Sequence, residues 1–267
     1  MVKCAVVLIH NNDSQRLRSA MTVVESIRSE LNFVGIFTEF FEIHQQPTVE
    51  PISRLECLRL TTLDSIIQIR YFRNYLMLPR KYWFSYVIRF IWSFFSLFAS
   101  TQKRKTKNIE AIITGKHFQS WHLGQKFDYL MVLEDDIIQT GPLDELVDIA
   151  LQAATLDKTV PVYIDLAGGY PPNIINNKSP AESSLELGKL YTNTACGYLL
   201  NSHLARYLVS FYDSHNFTSK VGIDFFLNAA FLSLKSNLGF CFHLQRDGLS
   251  HGSFRGAFKS WTDTENR

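Results

Sequence analysis

Short continuous apolar runs alternate along the chain with stretches of helical spacing. Residues 4–9 (CAVVLI) have the pattern of a buried strand, ended by His10, Asn11 and Asn12. A helix capped near Asp13 or Ser14 is expected to run to about Leu31. Residues 33–43 offer one or two short strands broken at Gly35, and 53–78 reads as a helix stopped by Pro79. Ile109, Ile112, Ile113 and Trp121 have helical spacing over 109–124, and 129–133 (YLMVL) is an unbroken apolar strand. After a Gly141-Pro142 turn, 143–154 predicts a helix and 160–166 a strand. Residues 168–188, rich in Pro, Asn and Ser, read as a long loop, a feature that is often functional. A strand at 197–200, helices at 202–212 and 221–234, a strand at 239–244 and a polar tail from Arg246 complete the pattern. Strands alternating with helices predict an α/β fold with a central, mostly parallel sheet in a single domain over 1–267.

The acids Glu134, Asp135 and Asp136 follow the YLMVL run directly. Carboxylates at the carboxyl end of a buried strand sit where open α/β sheets bind ligands. Alternate residues of an extended chain point the same way, which aims Glu134 and Asp136 at a common point. Two carboxylates on one hard cation suit Mn2+ or Mg2+ that also holds phosphates. The competing reading is an acidic turn capping the next helix.

The YLMVLEDD segment resembles the metal-binding DXD strand of GT-A glycosyltransferases. Its LEDD form is similar to that of glycosyltransferase family 25, which includes bacterial lipopolysaccharide transferases and collagen galactosyltransferases. Lys116, His117 and Trp121 resemble the family's segment before that strand, and VYIDL at 162–166 its next strand. The TACGYLL run at 194–200, with Ala205 and Leu208, and IDFFL at 223–227 are similar to later family segments. The resemblance spans roughly residues 108–235. The first strand departs from it, with His10-Asn11-Asn12 and then Arg16.

The resemblance implies a GT-A (Rossmann-like) fold and sugar transfer from a nucleotide-sugar donor to a glycan or lipid-linked acceptor. Asp136 would ligate the metal, with Glu134 direct or through water. His251 would complete the centre, the alternative being an exposed tail histidine. Asp135 would meet the donor's ribose or sugar, and Arg16 the nucleotide or its phosphates. Gly197 would allow close approach of a sugar. Asp224 would be the general base of an inverting transfer, against the alternative of a helix cap.

Charge changes the picture in one place. The formal net charge is +2, yet nine basic residues and no acid lie between Asp64 and Glu110, which leaves 18 basic and 25 acidic residues elsewhere. Within that stretch, 82–99 (YWFSYVIRFIWSFFSLFA) carries one charge, Arg89, and is flanked by Arg80-Lys81 and Lys103-Arg104-Lys105. A basic, aromatic helical segment inserted at 70–107 is expected, meeting an anionic membrane surface from Tyr82 to Lys107. A core helix or a protein contact are the alternatives. A true span would divide the proposed site between two sides of the membrane.

Cys4, Cys57, Cys196 and Cys241 are scattered without a CxxC pair, which fits core thiols in a reducing compartment. The N-terminal apolar run is too short for a signal peptide. The expected location is cytoplasmic, peripheral at the inner face of the membrane. No nucleic-acid motif accompanies the basic residues. Two other classes stay open. One is a metal-dependent phosphohydrolase or nucleotidyltransferase, disfavoured because the first strand ends without an acid. The other is a non-catalytic membrane-associated interaction module.

Overall fold

The structure, a computed structural model, describes residues 1–44, 88, 91, 108–167, 185–188, 190–192, 194–215, 222–234, 238–244, 248–253 and 255–258. The expected helix at 53–78, most of the 168–188 loop, and the inserted segment at 70–107 apart from Ile88 and Ile91 lie outside the described residues.

The described elements are β1 (Val2–Ile9), α1 (Ser14–Phe33), β2 (Ile36–Ile43), α2 (Asn108–Gly124), β3 (Tyr129–Glu134), β4 (Ile137–Gln139) and α3 (Asp144–Thr155). They continue as β5 (Val162–Asp165), β6 (Glu186–Gly188), β7 (Gly197–Asn201), α4 (Ser202–Ser214), α5 (Ile223–Ser233), β8 (Gly239–His243) and β9 (Leu249–His251). A seven-stranded sheet has the order β2-β1-β3-β7-β5-β8-β6. Strands β2, β1, β3, β5 and β8 run one way, while β7 and β6 oppose them. The expected α/β architecture with a mostly parallel sheet is therefore present.

Strand β1 shows why its sequence is a continuous apolar run. Cys4, Val6 and Leu8 pack with α1 and α3 on one face, while Ala5, Val7 and Ile9 pack with α2, α4 and α5 on the other. A strand covered on both sides has no polar face to alternate. Helix α1 starts where the Asp13 carboxylate accepts the amides of Gln15 and Arg16, each at 3.0 Å. It runs to Phe33, and Gly35, at φ 86°, turns the chain into β2. Gly35 thus ends a helix; it does not break a strand.

The tail beyond Arg246 is not uniformly irregular. Strand β9 pairs antiparallel with β4, with Ile137 opposite His251. Among the described residues, no helix is long and apolar enough to cross a membrane.

Candidate functional site

The carboxyl ends of β1, β3, β5 and β8 meet the amino end of β7 along one edge of the sheet. Asp136 lies there, in the turn between β3 and β4, and is buried. Its Oδ1 is 3.2 Å from Cys196 Sγ. Its Oδ2 accepts a hydrogen bond from Ser253 Oγ at 2.7 Å and lies 3.3 Å from His251 Nδ1. The Gly252 amide donates to the Asp136 carbonyl at 2.7 Å. A Cβ on Gly252 would stand 2.6 Å from that carbonyl oxygen and 2.6 Å from the Phe258 ring, so the approach requires glycine. Asp136, Cys196 and His251 each offer one ligand atom, all within 4.8 Å of one another. The structure thus brings together two of the expected ligands, Asp136 and His251, and adds Cys196.

Glu134 is not in that group. The expectation that it and Asp136 point together assumed an extended chain, but the strand ends at Glu134 and the backbone turns at once. Glu134 Oε1 faces helix α2, 3.0 Å from His117 Nε2. The partners behind it form a buried chain. Trp121 Nε1, which can only donate, gives its hydrogen to Tyr198 Oη at 2.9 Å. Tyr198 Oη in turn lies 2.8 Å from His117 Nδ1. Burial, together with nearby Lys116, pushes the His117 pKa down to about 3, so the ring is neutral, with one nitrogen donating and the other accepting.

Asp135 and Arg16 were expected to touch the donor; here they meet each other. Arg16 Nη1 donates to Asp135 Oδ1 at 3.2 Å, and the Asn11 amide donates to Oδ2 at 3.1 Å. Both side chains are buried. Lys116, fully buried on α2, donates to the His10 carbonyl at 2.7 Å and to Asn11 Oδ1. These contacts pin the turn after β1, and they account for a buried lysine that helical spacing alone does not explain.

Asp224 lies in the first turn of α5, but the cap position is Gly222, so the helix-cap reading fails. The Ala195 backbone hydrogen-bonds the Asp224 carboxyl, while Oδ1 is enclosed with no hydrogen-bond partner among the described residues. Burial first, then the charges of Glu134 and Asp165, push its pKa up to about 8. Gly197 is explained by packing. A Cβ there would lie 2.7 Å from Ile137 Cδ1, with Leu133 and Leu166 behind it, so the protein core approaches closely at this position.

A further pair escapes sequence reading altogether. Asp165, at the end of β5, holds His243, at the end of β8, at 3.2 Å, and Tyr191 stacks on that ring at a centroid distance of 4.2 Å. Parallel pairing of β5 with β8 sets Asp165 directly opposite His243.

The donor set fits a divalent cation. A carboxylate, an imidazole and a thiol converge at Asp136, and burial and then Asp136 hold the neighbouring Glu134 carboxyl above its ordinary pKa. Such crowding leaves negative charge that a cation offsets.

No family model matches the chain, and no curated protein matches it. The fold is loosely similar to two solved glycosyltransferase structures. One is a glycosyltransferase involved in glycosylation of the major capsid of PBCV-1, at 9% identity over 93% of this chain and 92% of that one, with a TM-score of 0.38. The other is a mutant Drosophila β1,4-galactosyltransferase 7 in complex with manganese, UDP-Gal and xylobiose, at 12% identity over 100% of this chain and 79% of that one, also with a TM-score of 0.38.

Proposed function

We propose that the chain is a metal-dependent GT-A glycosyltransferase that moves a sugar from a nucleotide-sugar donor to a glycan or lipid-linked acceptor. One observation carries the reading: Asp136 and His251 converge at the carboxyl edge of the sheet. Asp136 and His251 would hold a divalent cation, Mn2+ or Mg2+. When bound, it supplies Lewis-acid neutralisation of the charge developing on the departing nucleotide.

The chain's own residues do the rest. The hydrogen bond between His117 Nε2 and Glu134 orients Glu134 at the border of the centre. The Arg16–Asp135 pair orders the turn after β1, at the edge where a nucleotide would lie. Asp224 takes the acceptor hydroxyl's proton, and a pKa near 8 suits a base working near neutral pH. Attack from Asp224's side inverts the anomeric centre. The family-25 resemblance supports an acceptor in lipopolysaccharide or other cell-surface polysaccharide synthesis. The basic aromatic segment supports a peripheral position at the inner face of the membrane. Incubation with a panel of nucleotide sugars should release nucleoside diphosphate in Mn2+ and not in EDTA. Release that is indifferent to EDTA would remove the metal from the account.

A further inference from the structure

Cys196 is not used by the proposed sugar transfer, yet it lies inside the centre. It is 1% exposed, at the amino end of β7 where the sheet edge closes on Asp136. Its Sγ lies 3.2 Å from Asp136 Oδ1, and His251 Nδ1 lies 3.3 Å from Oδ2. Ligands at about 2.0–2.3 Å around one tetrahedral cation stand roughly 3.5 Å from one another. With one ligand atom from each residue, the three lie within 4.8 Å of one another, within reach of that spacing.

The bland alternative is a small buried thiol donating a weak hydrogen bond. Asp136 has little need of one. Ser253 already gives it a 2.7 Å hydroxyl donor, and the Gly252 amide takes its backbone carbonyl. A thiol beside an imidazole on one buried carboxylate is a mixed S, N and O donor set. Such a set favours borderline cations, whereas Mg2+ demands oxygens in near-octahedral order.

We propose that Cys196 is the third protein ligand of the Asp136–His251 centre, bound as a thiolate, and that it turns the site toward Zn2+ and Co2+ over Mg2+. On binding, the S–H bond breaks, its proton leaves to solvent, and the sulfur pair enters the coordination shell. The proposal rests on the transferase reading only in needing a cation at Asp136 and His251.

The test is a titration of the full chain with Co2+ alone, followed by near-ultraviolet and visible absorption. A sulfur-to-cobalt charge-transfer band is expected in the parent chain and in no Cys196→Ser protein. Cys196→Ser keeps a donor for Asp136, and its far-ultraviolet circular dichroism should match the parent. Zn2+ affinity in that variant should fall by at least the roughly 10- to 100-fold that loss of an outer-shell partner costs a metal site. Mg2+ affinity should change far less. Co2+ binding that is lost in Asp136→Ala but shows no sulfur band would overturn the thiolate and leave the transferase intact. A band that survives in Cys196→Ser would overturn it too. No binding of Co2+, Mn2+ or Zn2+ at all would overturn both readings.

Discussion

His251 Nδ1 stands 3.3 Å from Asp136 Oδ2. One residue closes the short strand β9 and the other ends the turn that leads into β4, and pairing of these two strands makes the contact. The proposed centre therefore depends on tertiary structure in a three-residue strand, and this dependence can be tested.

Gly252→Ala should damage the centre without touching a ligand. The added Cβ meets the Asp136 carbonyl and the Phe258 ring at 2.6 Å each, so β9 must move. A loss of about 1–3 kcal/mol in urea unfolding is expected, together with weaker Mn2+ binding by calorimetry. Unchanged metal affinity would show that β9 does not position His251.

Asp224→Asn should lower kcat by about 10²- to 10⁴-fold while donor binding holds, as expected for loss of a general base. A loss confined to KM would reassign Asp224 to binding.

The same residue sets a pH dependence in the metal-free protein. The folded pKa, about 8, lies above the ordinary carboxylate value of 3.8, so between these values the folded state binds more protons than the unfolded state. Stability contributed by this group is full below about pH 3.8 and falls as pH rises toward about 8. Asp224→Asn removes the group and should flatten that fall. Urea midpoints at a series of pH values would check it; parallel curves for parent and variant would contradict it.

Tyr198→Phe should break the chain that runs from Trp121 to Glu134. It strands the Trp121 Nε1–H and His117 Nδ1 in a fully buried site. At about 1–3 kcal/mol for each unsatisfied group, a loss of roughly 2 kcal/mol or more is expected in chemical denaturation. A loss under about 0.5 kcal/mol would mean that the tyrosine hydroxyl does not complete the chain.

Flotation with vesicles containing anionic lipid should require residues 82–107, since that segment joins basic clusters to an aromatic run. Flotation that survives deletion of the segment would place membrane contact elsewhere or nowhere.

Much of the fold is legible in sequence, for physical reasons. Strands β1 and β3 are covered on both faces, so their residues form unbroken apolar runs, and Asp13 announces α1 because a capping carboxylate is a local device. Strand β9 is not legible, because Leu249, Ser250 and His251 become a strand only by pairing with β4. Asp136 is legible as a sheet-edge carboxylate from its place just after a strand. Glu134 is misdirected because alternation ends where the turn begins. Cys196 reads as one more core thiol until the antiparallel β7 sets it beside Asp136. The pairs Arg16–Asp135 and Asp165–His243 join distant parts of the chain, and no local pattern foretells either. Only Lys116, His117 and Trp121 hint at the polar face of α2, since a lysine and a histidine precede a tryptophan on a helix that must pack.

The central claim is that the Asp136 centre binds a nucleotide sugar through a divalent cation. Isothermal titration of the intact chain with a panel of nucleotide sugars, with and without Mn2+, tests it most directly. The account predicts binding of at least one donor that requires Mn2+ and disappears in Asp136→Ala while the fold is retained. Donor binding that ignores both Mn2+ and Asp136, or no binding across the panel, would contradict it.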